Sequence, residues 1–256
     1  MAGPRRAVRD DLAGVKFATN NGPCTILKYV TYKDVYVVFD QTGFETVTTL
    51  QRLKQGTVTD LLAPNFSGVG FRGVGEYKTM INGVRPQYYI RWAGMISRCY
   101  ADAGRKANPS YSESVIESKW YNLQNYAEWY VNHPYRNDSW EIDKDILVKG
   151  NKIYSEDTCV FVPKYINTMF TKCDKWRGDL PIGVHRVGKT ECYKMMCGDG
   201  TPKRVVISGF KTPEDAFYAY KGTKENVIKM YAEKYKDNLE PRAYKALLNY
   251  QVDIGD

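Results

Sequence analysis

The sequence predicts an α+β fold, on three observations. Apolar residues alternate with period two in the first quarter. They recur at spacings of three and four between 86 and 132. Three strand-like runs followed by a well-capped helix fill the last third. In the first quarter CTILKYV, DVYVVFD and FETVTTL carry β-branched and aromatic residues on alternate positions, and NNGP and QTG supply turns. Residues 1–75 are therefore expected to form a small antiparallel β-barrel followed by a linker, the glycine-rich LLAPNFSGVGFRGVG. Its glycines lie outside any βαβ pattern, so they do not read as a dinucleotide-binding loop.

In the middle, Trp92, Met95, Ile96 and Cys99, and then Leu123, Tyr126, Ala127 and Tyr130, mark two amphipathic helices joined by the polar loop ADAGRKANPSYS. His133 precedes Pro134 and should end the second helix, because a residue before proline avoids helical dihedrals. In the last third IGVHRVG, ECYKMMCG and KRVVISGF read as strands, with Met195 and Met196 on opposite faces. Thr212 as N-cap, Pro213 at the first helical position and the acids Glu214 and Asp215 start a helix whose Ala216, Phe217 and Tyr220 face the sheet. A short helix, PRAYKALLNY, follows.

With 256 residues, 43% of them hydrophobic, the chain has enough apolar side chain for a core in each domain. No apolar run reaches membrane-spanning length, and MAGPRRAVRDDLAG contains no stretch of signal-peptide type, so a cytoplasmic protein without a membrane partner is expected. The cysteines 24, 99, 159, 173, 192 and 197 form no CxxC pair and have no close histidine, so they are expected to be small buried apolar residues and not zinc ligands. The net charge of +8 is concentrated: from 163 to 204 nine lysines and arginines face four acids, whereas from 205 to the end eight of each cancel. Together with 21 tyrosines and 5 tryptophans, such a concentration suits a nucleic-acid surface, where cations neutralise phosphates and rings pack on sugars or bases.

The series Trp92, Met95, Arg98, Cys99, Tyr100, then Trp120 and Trp129, then IDKDI, YSEDTCVFVP and Asn167, resembles the HNH homing endonucleases of bacteriophages. The C-terminal GVHR, CYKMM and SGFKTPEDAFYAY are similar to the APETALA-type DNA-binding domain of ethylene-response factors. The two resemblances cover roughly residues 88–236 and imply a degenerate HNH-like ββα region with flanking helices, placed at 76–178, and a three-stranded sheet with helix at 179–256. The β-barrel module and linker at 1–75 rest on the strand pattern alone. The resemblances further imply a phage-encoded DNA-binding protein working in the cytoplasm of the infected bacterial host.

An HNH site needs a neutral imidazole to take a proton from water, an asparagine to orient it, and a carboxylate with a final histidine or asparagine to hold a divalent ion. By the resemblance Asp143 takes the carboxylate's place and Asn167 that of the last ligand, Lys144 stands where the histidine belongs, and Thr158 stands near the expected asparagine. An ammonium cannot accept a proton, so catalysis is expected to be lost and no cofactor needed. Lys144 is instead a candidate phosphate contact. The alternative is an active Mg- or Mn-dependent endonuclease in which Asp145, Glu141 or His133 replaces the base. A further alternative is a host-takeover or anti-defence protein that binds a host protein. In the C-terminal domain the resemblance makes Arg186 the leading base contact, with His185, Lys189, Lys194, Lys203 and Arg204 at phosphates or base edges.

Overall fold

The computed structural model describes residues 12–107, 109–170, 178–188, 191–199 and 203–256. The chain is a mixed α+β protein that divides into two units, Met1–Val131 and Asn132–Asp256.

In the first unit β1 (Lys16–Thr19), β2 (Gly22–Tyr29), β3 (Val35–Phe39) and β4 (Glu45–Thr48) form an antiparallel meander in chain order. Alternation buries Cys24, Ile26, Val35, Val37 and Phe39 on one face and leaves Tyr36 and Val47 exposed. The expected barrel does not close: among the described residues β1 and β4 remain edges. Instead of feeding a further strand, Thr49 accepts a hydrogen bond from the Arg52 amide and caps the short helix α1 (Leu50–Lys54). Leu53 of that helix and Val58 complete the core that further strands would have covered. The Asn20 amide donates to Gly56 O at 2.9 Å, tying the β1–β2 turn to the end of α1.

The rest of this unit holds α2 (Gln87–Tyr100), α3 (Asp102–Ala107), β5 (Val115–Ile116) and α4 (Leu123–Asn132). All eight apolar positions expected on the two long helices are buried, and the Trp92 indole N–H donates to Trp120 O at 2.7 Å. The segment 61–75 is a packed strap and not a loose linker. Phe66 meets Trp92 edge-on at 4.9 Å, and the Gln124 amide donates to Arg72 O and Tyr77 O. The polar loop after α2 contains α3, whose Arg105 donates from Nε to Cys99 O and so satisfies a carbonyl of the preceding helix end.

In the second unit β6 (Glu141–Asp143) pairs antiparallel with β8 (Val160–Val162), with Asp143 opposite Val160. A long connection holding β7 (Ile153–Tyr154) joins them, and α5 (Lys164–Met169) follows β8. Next come β9 (Val184–Arg186), β10 (Tyr193–Gly198) and β11 (Arg204–Phe210), an antiparallel sheet with β10 in the centre, then α6 (Pro213–Lys234) and α7 (Pro241–Leu248). Thr212 caps α6 by accepting from the Asp215 amide.

Helix α6 belongs to two cores. Its first turns place Ala216, Phe217 and Tyr220 in a cluster with Val184, Tyr193, Met195 and Cys197 of the sheet. Its later turns place Val227, Ile228 and Ala232 in a cluster with Val160, Val162, Ile166, Ala243 and Leu247. Cys24, Cys99, Cys159 and Cys197 are buried as expected, Cys192 is exposed because it precedes the edge of the covered face, and Cys173 lies outside the described residues. No described helix is long and apolar enough to cross a membrane.

Gly183 enters β9 at φ +74°, where a Cβ would come within 2.1 Å of the Tyr220 ring. Gly188 in the following hairpin also has positive φ, +57°, but opens onto empty space. Gly183→Ala is therefore expected to destabilise the protein by about 2–4 kcal/mol, from ring displacement plus backbone strain, against about 1 kcal/mol for Gly188→Ala. Urea unfolding of the two variants checks the difference.

Candidate functional site

Two groups of polar side chains in the second unit answer to the sequence expectations. The first lies where β6 ends. Asp143 is buried, and its Oδ1 accepts the amides of Asp145 at 2.7 Å and Ile146 at 2.8 Å, holding the chain in a tight turn out of the strand. Burial pushes the Asp143 carboxyl up to about 6, against the opposing pull of those two amides. Lys144 is also buried, and its ammonium donates to both Asp145 oxygens and to Asn151 O, each at 2.8 Å. Asn151 returns a bond from its amide to Lys144 O at 2.9 Å, so the turn is closed on itself.

All three donors of Lys144, the candidate phosphate contact, are thus engaged within the turn. Asn167 lies half-buried on α5, where its backbone bonds Pro163 and Phe170. Among the described residues no three His, Cys, Asp or Glu side chains stand together as a metal-binding group. Asp143 Oδ1 is committed to two amides and the neighbouring Asp145 carboxylate to an ammonium. Thr158 donates to Ile153 O at 2.7 Å and pins the loop before β8, a structural role in place of orienting a base.

Of the substitute bases, Glu141 is half-buried on β6, and Asp145 is engaged by Lys144. His133 is deeply enclosed: its ring lies 4.9 Å from Phe161, its Nδ1 accepts the Tyr135 amide, and its Nε2 is 3.6 Å from Glu240. Burial lowers its pKa, and Glu240, which also binds the Arg242 guanidinium, acts against that shift. The imidazole is thus a structural member of a buried polar group, and its partner Glu240 had no signal in the sequence beyond its place before Pro241.

The second group lies on the three-stranded sheet. Val184, Tyr193, Met195 and Cys197 turn inward to α6, so their neighbours turn outward. His185 stands opposite Lys194, and Met196 opposite Val206. Arg204 pairs with Gly198 on the same outer face. Burial, then the charges of Lys194 and Arg204, lower the His185 pKa, so these cations share one field. Lys203 is exposed just before β11, and Lys189 lies outside the described residues.

Arg186 departs from expectation. It stands opposite Tyr193 on the helix side of the sheet, and its guanidinium lies 5.4 Å from that ring's centroid. Strand alternation therefore separates the leading base-contact candidate from His185, Lys194 and Arg204. Met196 was expected on the face opposite Met195, but its pairing with Val206 at the centre of the outer face was not singled out in the sequence, because it depends on the register of β10 and β11.

Comparison of the chain with family models, with curated proteins and with solved structures returns no match.

The buried carboxyl at 143 makes stability depend on pH. Its folded pKa lies above its unfolded one, so between about pH 4 and about pH 6 the folded chain holds a proton that the unfolded chain has released. Stability falls as pH rises through that window, and the loss is complete above it. Asp143→Asn keeps an acceptor for both amides and removes the buried charge. It is expected to gain up to about 3 kcal/mol over the wild type at about pH 7.5 and nothing at about pH 4. Thermal melts of both proteins across that range check it.

Proposed function

We propose that the chain is a DNA-binding protein derived from an HNH homing endonuclease of the phage type, with its grip in the C-terminal sheet and without scission. The observation that carries the reading is the outer face of β9, β10 and β11. It gathers His185, Lys194 and Arg204, and no outward position of the three strands carries an acid. A face of that charge neutralises phosphates and gains affinity by releasing their counterions. Three strands about 4.8 Å apart are about 10 Å wide, which suits a major groove of about 12 Å and not a minor groove of about 6 Å.

The β6–β8 pair followed by α5 supports the derivation, because it has the strand, strand, helix order of an HNH site. The occupied donors of Lys144 support the loss of cutting, since an ammonium in the place of the imidazole cannot take a proton from water. His185 adds a pH dependence. Lys194 and Arg204 disfavour its cation in the free protein, while a bound phosphate favours it. Binding therefore takes up a proton.

In fluorescence anisotropy with the full chain and a DNA duplex, affinity should fall steeply with salt. Lys194→Ala with Arg204→Ala should reduce the slope of log K against log salt by about 2, at roughly 0.9 per phosphate, and Arg186→Ala should leave it unchanged. Absence of binding at low salt would sink the reading. Affinity should also rise as pH falls from about 8 to about 5.5, and His185→Gln should flatten that rise. Supercoiled plasmid with Mg or Mn should remain uncut; rapid nicking abolished by Asp143→Ala would replace this reading with an active endonuclease.

A further inference from the structure

We propose that the outer sheet face reads the C5-methyl groups of pyrimidines, those of thymine in unmodified DNA, with Met196 and Val206 as the residues that contact them. The inference rests on the DNA-binding reading above and assigns it a base preference.

Met196 on the central strand and Val206 on β11 are register partners, so their side chains stand side by side in the middle of the face. Val206 is 48% exposed. One register step along, on the same face, lie Lys194, His185 and Ser208; the step in the other direction brings Gly198 and Arg204. The face therefore has an apolar centre and a cationic rim.

Each base edge in the major groove asks for a different partner. Guanine asks for a two-pronged donor such as arginine, adenine for an asparagine or glutamine, cytosine for an acceptor, and the thymine methyl for an apolar side chain. The centre of this face holds none of the first three. Of the arginines on these strands, Arg186 lies on the opposite face over Tyr193, and Arg204 stands at the rim opposite Gly198 and away from the centre. Cations at the rim can hold phosphates on either side while Met196 and Val206 meet the groove floor. The feature that they complement is a methyl group. Covering a methyl removes apolar surface from water on both partners and is worth about fourfold in affinity for each one buried.

The test uses duplexes of one length at one salt concentration, with the full-length protein. The first is rich in A·T pairs; the second replaces every thymine by deoxyuridine, which deletes the methyl and leaves base pairing intact. The third is rich in G·C pairs, and the fourth is the third with 5-methylcytosine. Deoxyuridine should weaken binding about four- to fifteenfold, for one or two methyls lost, and 5-methylcytosine should strengthen binding to the G·C duplex by a similar factor. Val206→Ala should shrink both differences with the salt slope unchanged. Because Val206 is exposed, its melting temperature should match the wild type, and the base substitutions need no variant at all. Equal binding of the thymine and deoxyuridine duplexes would overturn the methyl reading and leave DNA binding intact. Absence of binding to all four at low salt would instead remove the reading on which it rests. Tighter binding to an RNA duplex of the same sequence, which lacks the methyl, would also overturn it.

Discussion

The packing of α6 against the sheet is the constraint on which the outer face depends. Ala216, Phe217 and Tyr220 share a buried cluster with Val184, Tyr193, Met195 and Cys197, and Gly183 lets the Tyr220 ring lie against the start of β9. Side chains on a strand alternate, so burying one set presents the other. A slip of one residue in β10 would bury Lys194 and Met196 and expose Met195 and Cys197, at the cost of a desolvated ammonium and two lost apolar contacts. The cationic rim and apolar centre are held outward by what lies beneath them.

The corner at the end of β6 shows how two charged side chains, Asp143 and Lys144, can stay buried beside a partly exposed partner, Asp145. Asp143 takes two amides, Lys144 takes a carboxylate and a carbonyl, and Asn151 closes the loop back to Lys144. A buried charge is tolerable when its hydrogen-bonding capacity is met, and here the ammonium has a partner for each donor. The same bonds hold the ammonium within the turn. Further ion pairs anchor the unit nearby: Lys149 reaches Asp253 at 2.5 Å and Asp256 at 2.7 Å, bringing the last residues against this loop.

Periodicity made the elements legible. The helical faces at Trp92 to Cys99 and Leu123 to Tyr130, the three C-terminal strands and the Thr212 cap are local patterns, and each formed. Closure of the N-terminal sheet was not legible. It depends on whether the chain after Thr48 continues as strand or turns into helix, and the threonine cap that decided it lies in a run of β-branched residues. The helix within ADAGRKA was hidden for a related reason, since it is held by Arg105 reaching back to the Cys99 carbonyl. For the site, the basic excess marked a stretch of chain, but which of its cations stand together required the register. His185 and Arg186 are adjacent in sequence and on opposite faces in the sheet. The burial of Lys144 was illegible because it depends on Asn151, seven residues on, folding back over it.

The sharing of α6 gives the β6–β8–α5 segment a packing role that reaches beyond its own strands. Ile228 and Ala232 are fully covered, and their cover comes from Val160, Val162 and Ile166 on one side and Ala243 and Leu247 on the other. Stripping away the β6–β8–α5 segment would expose the later turns of the same helix whose first turns hold the sheet in register. A helix of 22 residues with one end in each core couples their stabilities, because fraying it from one side shortens the support available to the other.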